Sequence, residues 1–261
     1  MVKFAELATA TANSSDHYVL LAPGKEPRFL TVQEVMRAFA IPSGGSLWKA
    51  LIKPSGLLSA PQAVSCLGRS VHTGVARQLV RQLLKDGTLS EGLTYGSAFS
   101  GVDTFAAAVE AELHGKWDYK FASEANRTVR QALLHAWEPH GLTEAACPLS
   151  AMSATAKGAP TVDLYVTTPE CNDHSKRNHS RNATDQNTST KDFWDSLEYV
   201  RTQRPRTVVV ENVCEPSAVG PMTGLLSRLE GYTIHTGKMD PRTTAKMPIS
   251  RERQFWVLRL A

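Results

Sequence analysis

Thr94-Tyr-Gly-Ser-Ala-Phe99-Ser100-Gly101 reads as a short strand running into a tight turn. A helix follows over Thr104–Leu113, then a strand over Lys120–Ser123 that delivers Glu124 at its carboxyl end, then a helix from about Arg127 to Trp137. Beyond a connection through Cys147 to Gly158, Val162–Thr167 is a β-branched and aromatic run that stops at Pro169. Phe193, Leu197 and Val200 mark a helix, and Thr207-Val-Val-Val210 is a buried strand ending in Glu211-Asn212-Val213. Leu225, Leu226 and Leu229 mark another helix, Tyr232–His235 a strand, and Arg251–Leu258 an edge-like strand with two arginines at its head. This alternation predicts an α/β fold, a Rossmann-like, doubly wound and mostly parallel sheet with helices on both faces.

Upstream of this run the pattern is helical. Tyr18–Ala22 is an apolar patch suited to an edge strand. Thr31 is placed as an N-cap with Glu34 as its capping-box partner, and Val32, Val35, Met36 and Phe39 follow at helical spacing. Residues 43–61 hold three Gly and two Pro and read as a loop with one short helix around Trp48–Ile52. Val71, Val75, Leu79, Val80, Leu83 and Leu84 form the stripe of a second helix, closed by Asp86-Gly87. Its cations Arg69, Arg77, Arg81 and Lys85 read as a solvated face rather than a phosphate contact.

At 261 residues the chain can bury one sizeable core. Its net charge of +4 suits a polyanionic partner without requiring one. The four cysteines, Cys66, Cys147, Cys171 and Cys214, form no CxxC pair and have no His at metal spacing. That pattern argues against a zinc site and a disulfide framework and for a reducing compartment. The amino terminus is a poor signal peptide, since an acid interrupts its short apolar run, and no run approaches a membrane span. The expectation is an intracellular protein with no membrane partner, in a bacterial or phage-infected cytoplasm or a eukaryotic nucleus.

Three strands in succession end in a chemically useful group: Glu124, Cys171 and Glu211. Ligands of open α/β sheets sit outside the carboxyl ends of the strands, so a thiol released there is placed to act as a nucleophile. An acid at the end of the strand after a Gly-containing turn suits ribose hydroxyls. Cys171 beside Glu211 suggests covalent addition to an electron-poor ring, with the acid engaging a ring nitrogen. Each group also has a plainer reading: a buried cysteine, a surface carboxylate, solvated edge-strand arginines. The stretch 172–191 is almost wholly polar, and a loop of that length is usually functional or disordered.

Taken together, these residues resemble the cytosine-C5 DNA methyltransferases. Phe99-Ser-Gly-Val-Asp-Thr-Phe105 resembles that family's cofactor loop, and Ser123-Glu-Ala-Asn126 its ribose-binding acid. Thr168-Pro-Glu-Cys171-Asn-Asp-His-Ser175 resembles the catalytic Pro-Pro-Cys loop. Val210-Glu-Asn-Val213 matches Glu-Asn-Val, and Met247–Arg253 resembles the Gln-x-Arg-x-Arg motif. The last two family motifs resemble Arg28–Pro42 and Cys66–Val71, which lie at the wrong end of the chain. The resemblance therefore implies a circularly permuted gene. Its single catalytic domain would span 1–261, with 1–90 carrying the permuted motifs and 91–261 the cofactor-binding and catalytic core. Termini near each other on the surface make such a cut tolerable.

The resemblance implies S-adenosylmethionine as cofactor, held by Phe99, Ser100, Gly101, Asp103, Thr104, Glu124, Ala125, Pro169, Ser70 and Val71. It implies a flipped cytosine in DNA as substrate, attacked at C6 by Cys171, with Glu211 at N3 and the exocyclic amine, Arg253 near O2 and Arg251 nearby. Ser175, Lys176, Arg177 and Arg181 would meet the nucleic acid from a closing loop. No metal is expected. The chain departs from the family at several positions. Glu170 replaces a Pro beside the thiol and should raise its pKa, Asp103-Thr104 replace a Gly pair, Arg69 an Asn and Ile249 a Gln, and Thr167-Thr168 two glycines. Only 1–27 and 43–61 remain for target recognition. That shortage keeps open single-stranded DNA or RNA as substrate, a separate recognition subunit, or a cofactor-binding chain with weakened chemistry.

Overall fold

The computed structural model describes residues 19–20, 26, 28–52, 57–147, 158–169 and 188–261. In chain order the elements are β1 (Val19–Leu20), β2 (Arg28–Phe29), α1 (Val32–Ala38), α2 (Ser46–Ile52), α3 (Ala60–Arg69), α4 (Thr73–Lys85), β3 (Leu93–Ala98), α5 (Thr104–Leu113), β4 (Trp117–Phe121) and α6 (Arg127–Trp137). There follow β5 (Leu164–Thr167), α7 (Thr188–Gln203), β6 (Thr207–Val213), α8 (Pro216–Leu226), β7 (Tyr232–Met239), α9 (Pro241–Thr244) and β8 (Arg253–Leu260). β1 and β2 form a small antiparallel ribbon of their own, so Val19–Leu20 is a strand but not an edge of the main sheet.

The main sheet has six strands in the order β4-β3-β5-β6-β8-β7. β4, β3, β5 and β6 are parallel neighbours, and β8 runs antiparallel to both β6 and β7. Side chains alternate across a strand, and here the alternation divides two cores. Leu164, Val166, Val209, Phe255 and Val257 pack with α1 to α6 on one face. Tyr165, Val208, Val210, Trp256 and Leu258 pack with Phe193, Leu197 and Val200 of α7 and Met222 and Leu226 of α8 on the other. Both faces are covered, as a doubly wound sheet requires. The permuted-looking segment belongs to the first core, where Met36, Phe39, Leu47, Leu67 and Val80 share it with Tyr95 and Trp117.

Two readings of the sequence need correcting. Arg253–Leu260 is not at the edge. It lies between β6 and β7 with Phe255, Trp256 and Leu258 buried, and β7, mostly exposed, is the edge strand. The 43–61 loop ends in a helix, α3, which the sequence reading missed although its signals were present. Ser59 and Gln62 form a capping box, and Pro61 stands in the first turn, where its missing N–H costs nothing. Arg69, Arg81 and Lys85 are exposed, as a solvated face requires, and Arg77 and Arg81 also donate to Glu112 of α5 at 2.7 Å, which fastens α4 to α5. By contrast the Thr31 capping box, Thr104–Leu113 and Arg127–Trp137 stand where the sequence put them. No helix among the described residues is long and apolar enough to cross a membrane.

Candidate active site

The chain leaves β3 toward β4 on one side and returns to β5 on the other, so strand order reverses at β3. The crevice outside the carboxyl ends of β3 and β5 is therefore where a doubly wound sheet takes its ligand. Phe99–Asp103, Glu124, Thr168–Pro169 and Glu211–Asn212 all follow or end strands at this pole.

The turn after β3 is held in an unusual backbone. Phe99, Gly101 and Asp103 all have positive φ, at 55°, 56° and 52°. For the two that are not glycine this costs about 1 kcal/mol each, so the surroundings must enforce it. They do so through hydrogen bonds. Ser100 N–H donates to the Ser123 carbonyl at 3.0 Å, and Ser123 N–H returns a bond to Ser100 Oγ at 3.2 Å. Gly101 N–H donates to Glu124 Oε2 at 2.9 Å, while Asn126 N–H donates to Oε1 at 2.7 Å. Glu124, half-buried, stands three residues beyond the end of β4. Ala125 is exposed beside it.

The amino-terminal segment reaches the same turn. Ser70 caps α3, with its Oγ donating to the Cys66 carbonyl at 2.7 Å, and a Cβ placed on Gly101 would lie 3.9 Å from that oxygen. The Val71 carbonyl accepts the Thr104 hydroxyl at 2.6 Å. Thus Ser70 and Val71 meet Gly101 and Thr104, as the sequence reading required. The side chains of Asp103 and Thr104, however, are committed inside the protein. The Asp103 carboxylate is buried, caps α5 by accepting from Ala106 N–H at 2.9 Å, and accepts the hydroxyls of Tyr95 and Tyr119. Burial pushes its carboxyl above the ordinary range against those hydrogen bonds. Any contact these two residues make with a cofactor falls to their main chain.

At the end of β6 a second carboxylate is buried. Glu211 Oε1 lies 3.2 Å from Arg253 Nε across the β6–β8 pair. Burial pushes the Glu211 carboxyl up, and Arg253 and then Arg251 pull it part of the way back. Val71, His72, Arg251, Arg253 and Phe255 line a cleft with it. Arg251 is held from two sides, its guanidinium donating to the Gly68 carbonyl at 2.6 Å and its N–H to Asp240 at 2.9 Å. Ile249, where the family has Gln, is buried in the first core.

Three contributors escaped the sequence reading. Asn212 Nδ2 donates to the Pro169 carbonyl at 3.3 Å, which ties the end of β6 to the residue two before Cys171. The Thr168 hydroxyl donates to the Phe99 carbonyl at 3.1 Å, which ties the end of β5 to the turn after β3. His72 caps α4 and lines the Glu211 cleft. Its Nδ1 accepts from Gly74 N–H at 3.1 Å, Nε2 meets the Ala38 carbonyl at 2.9 Å, and burial lowers its pKa to about 4, so it is neutral. Cys171, Ser175, Lys176, Arg177 and Arg181 lie outside the described residues. Among the described residues no cluster of His, Cys, Asp and Glu is arranged for a metal.

No protein-family model matches the sequence, and no curated protein matches it. Solved structures do. A putative RNA methyltransferase from Pyrococcus horikoshii aligns over 88% of this chain and 98% of its own, with a TM-score of 0.51 and 14% identity. The Dnmt2 methyltransferase of S. pombe aligns over 64% of this chain at 21% identity with a TM-score of 0.46, and this chain spans about half its length, 49%. A putative DNA modification methyltransferase from an E. coli prophage gives 20% identity, 64% of this chain, 47% of its own, and a TM-score of 0.44. The likeness to the Pyrococcus structure agrees with the strand order. The chain has a Rossmann-like class I methyltransferase fold.

Proposed function

We propose that this chain binds S-adenosylmethionine and methylates C5 of cytosine in nucleic acid through a covalent adduct with Cys171. One observation carries the reading. A buried carboxyl, Glu211, is paired to Arg253 at the end of β6, while its neighbour Asn212 holds the carbonyl of Pro169, just ahead of Cys171 in the chain. Burial favours the protonated form of this carboxyl, the form that can share a proton with a ring nitrogen as addition to C6 of a pyrimidine needs.

In this mechanism the Cys171 thiolate forms a bond to C6, and the displaced ring electrons are received at N3 by the Glu211 proton and at O2 by Arg253. C5 becomes nucleophilic and would take the methyl, whose bond to the cofactor's sulfonium breaks to leave a neutral thioether; the C5 proton then passes to water as the bond to Cys171 breaks and N3 returns its proton to Glu211. The cofactor is assigned to the first crevice, where the Glu124 carboxylate stands beyond the end of β4 as the acceptor for ribose hydroxyls and Gly101 and Ser70 close the turn beside it. When bound, it supplies a methyl on a positively charged sulfur. Phe99, half-buried against the second core, offers an apolar surface to the cofactor's base.

A single-stranded or RNA substrate is a second reading with its own support. Part of the segment free for target recognition is absorbed into the core, where Leu47 and Ala50 of α2 are buried and Ser46 is bonded to Glu110 of α5. A chain without a groove reader suits bases that are already accessible, or relies on another subunit for recognition.

Transfer of labelled methyl to duplex DNA, single-stranded DNA and RNA, wild type beside Cys171→Ala, tests the reading. Label is expected in cytosine and at least a thousandfold less with the variant, in line with loss of a nucleophile. Equal activity in Cys171→Ala would sink the covalent mechanism. Glu124→Ala should weaken cofactor binding about tenfold or more by calorimetry, as loss of a charged acceptor predicts. An unchanged dissociation constant would refute the ribose assignment.

A further inference from the structure

β6 and β7 point the same way, since each is antiparallel to β8, so their amino ends share the pole opposite the transfer site. There Arg201, Arg204, Arg228, Glu230 and Tyr232 line a notch. Arg204 follows α7 with φ at 47°, in the left-handed region that ends many helices and that glycine usually fills. Its guanidinium lies 5.8 Å from the Tyr232 ring centroid and donates to the Glu230 carbonyl at 3.3 Å. A Cβ on Gly231 would come within 2.6 Å of it, so the glycine leaves the room this guanidinium fills. The Tyr232 hydroxyl in turn donates to the Pro205 carbonyl at 2.8 Å. One local backbone preference, at Arg204, is thus set aside, and a glycine stands beside it, to seat one cation at the surface.

The surroundings are electropositive and aromatic. Among the described residues Arg204 and Arg228 have no ion pair, and Arg201 has only a loose one, 3.8 Å from Glu198. The Glu230 carboxylate is the one acid of the lining. Seven residues before Arg201 on α7, Trp194 is 37% exposed, one of two exposed large hydrophobic side chains among the described residues, with the Arg201 guanidinium 5.8 Å from its ring. Guanidinium groups spaced around a notch suit successive phosphates, and an exposed indole beside them suits a base face.

We propose that Arg201, Arg204, Arg228 and Trp194 form a second nucleic-acid contact, remote from the transfer site, that grips a single-stranded segment by its phosphates and one stacked base. It deepens the methyltransferase reading, on which it rests for nucleic acid as the substrate class. A duplex has its bases turned inward and cannot offer one to Trp194, which sets the preference for single strands.

The test is fluorescence anisotropy of a labelled oligothymidine and of a duplex of equal length, titrated with full-length protein across a salt series, without cofactor. Arg201→Gln/Arg228→Gln, both exposed positions, should weaken oligothymidine binding about tenfold or more and lower the salt slope by about 1.4, the value for two fewer single-strand phosphate contacts. Trp194→Ala should weaken the single strand at least fivefold and leave the duplex unchanged. An unaltered affinity and slope in the double variant, with an unaltered melting temperature, would overturn the proposal. So would a double variant that loses only polyglutamate binding, which would mark an acidic protein as the partner. Because the readout needs no turnover, methyl transfer with unaltered variant binding refutes the notch alone. Variant-sensitive binding without methyl transfer refutes the enzymatic reading alone.

Discussion

The carboxyl ends of β3 and β6 each lead to a buried carboxylate, and the protein treats the two in opposite ways. Asp103 is enclosed by neutral donors, two tyrosine hydroxyls and a backbone N–H, and faces no described arginine. Glu211 is enclosed by Arg253 and Arg251 and lines a cleft. Burial raises both above the ordinary carboxyl range. The difference lies in what a change at each would leave behind. Removing Asp103 takes away the acceptor of the Tyr95 hydroxyl, leaves the Tyr119 hydroxyl to Ser97, and uncaps a helix. Altering Glu211 alters a cleft that has its own cations and an opening.

The largest expected effect sharpens that contrast. Glu211→Gln keeps the shape but loses the transferable proton, and turnover should fall by a factor of about 100 to 1,000, as for loss of a general acid. Its urea midpoint should stay near that of the wild type, and wild-type turnover in this variant would remove Glu211 from the chemistry. Next is Asp103→Ala, which should destabilise the fold by about 3 kcal/mol, from a lost N-cap and the unsatisfied Tyr95 hydroxyl. Chemical denaturation measures it. A variant as stable as the wild type would mean that the Tyr95–Asp103–Tyr119 cluster is not structural.

The smallest effect is in pH. A carboxyl whose folded pKa is raised binds its proton more tightly in the fold than in the unfolded chain. Its stabilising contribution is therefore full below the unfolded value and is lost as pH rises through the folded value. For Glu211 that loss begins near 4.5. Glu211→Gln should therefore gain stability relative to wild type as pH rises above about 4.5, read from urea midpoints between pH 4 and 8. A difference that stayed flat would mean that the arginines fully offset the burial.

Much of this was legible in the sequence where information is local. The Thr31–Glu34 box, the α5 stripe and the α6 stripe are each written within a dozen neighbouring residues, and periodicity with capping chemistry recovers them. α3 was hidden because Pro and Gly nearby read as loop, although Ser59, Pro61 and Gln62 spelled a helix start. Placing Glu124 and Glu211 at strand ends followed from the strand-to-loop transitions alone. The direction of the Asp103 side chain did not, because its partner Tyr119 belongs to a strand beyond α5.

By itself the sequence determined the strand and helix alternation and the acids at the strand ends, since each depends on residues close together in the chain. Only the tertiary structure decided that β8 is interior and β7 is the edge, that Ser70 meets Gly101, that Asn212 holds Pro169, and that Arg204 is seated over Tyr232. Those outcomes depend on which distant segments share a face of the sheet. That follows from how the whole apolar surface is buried at once, and no window of the sequence contains it.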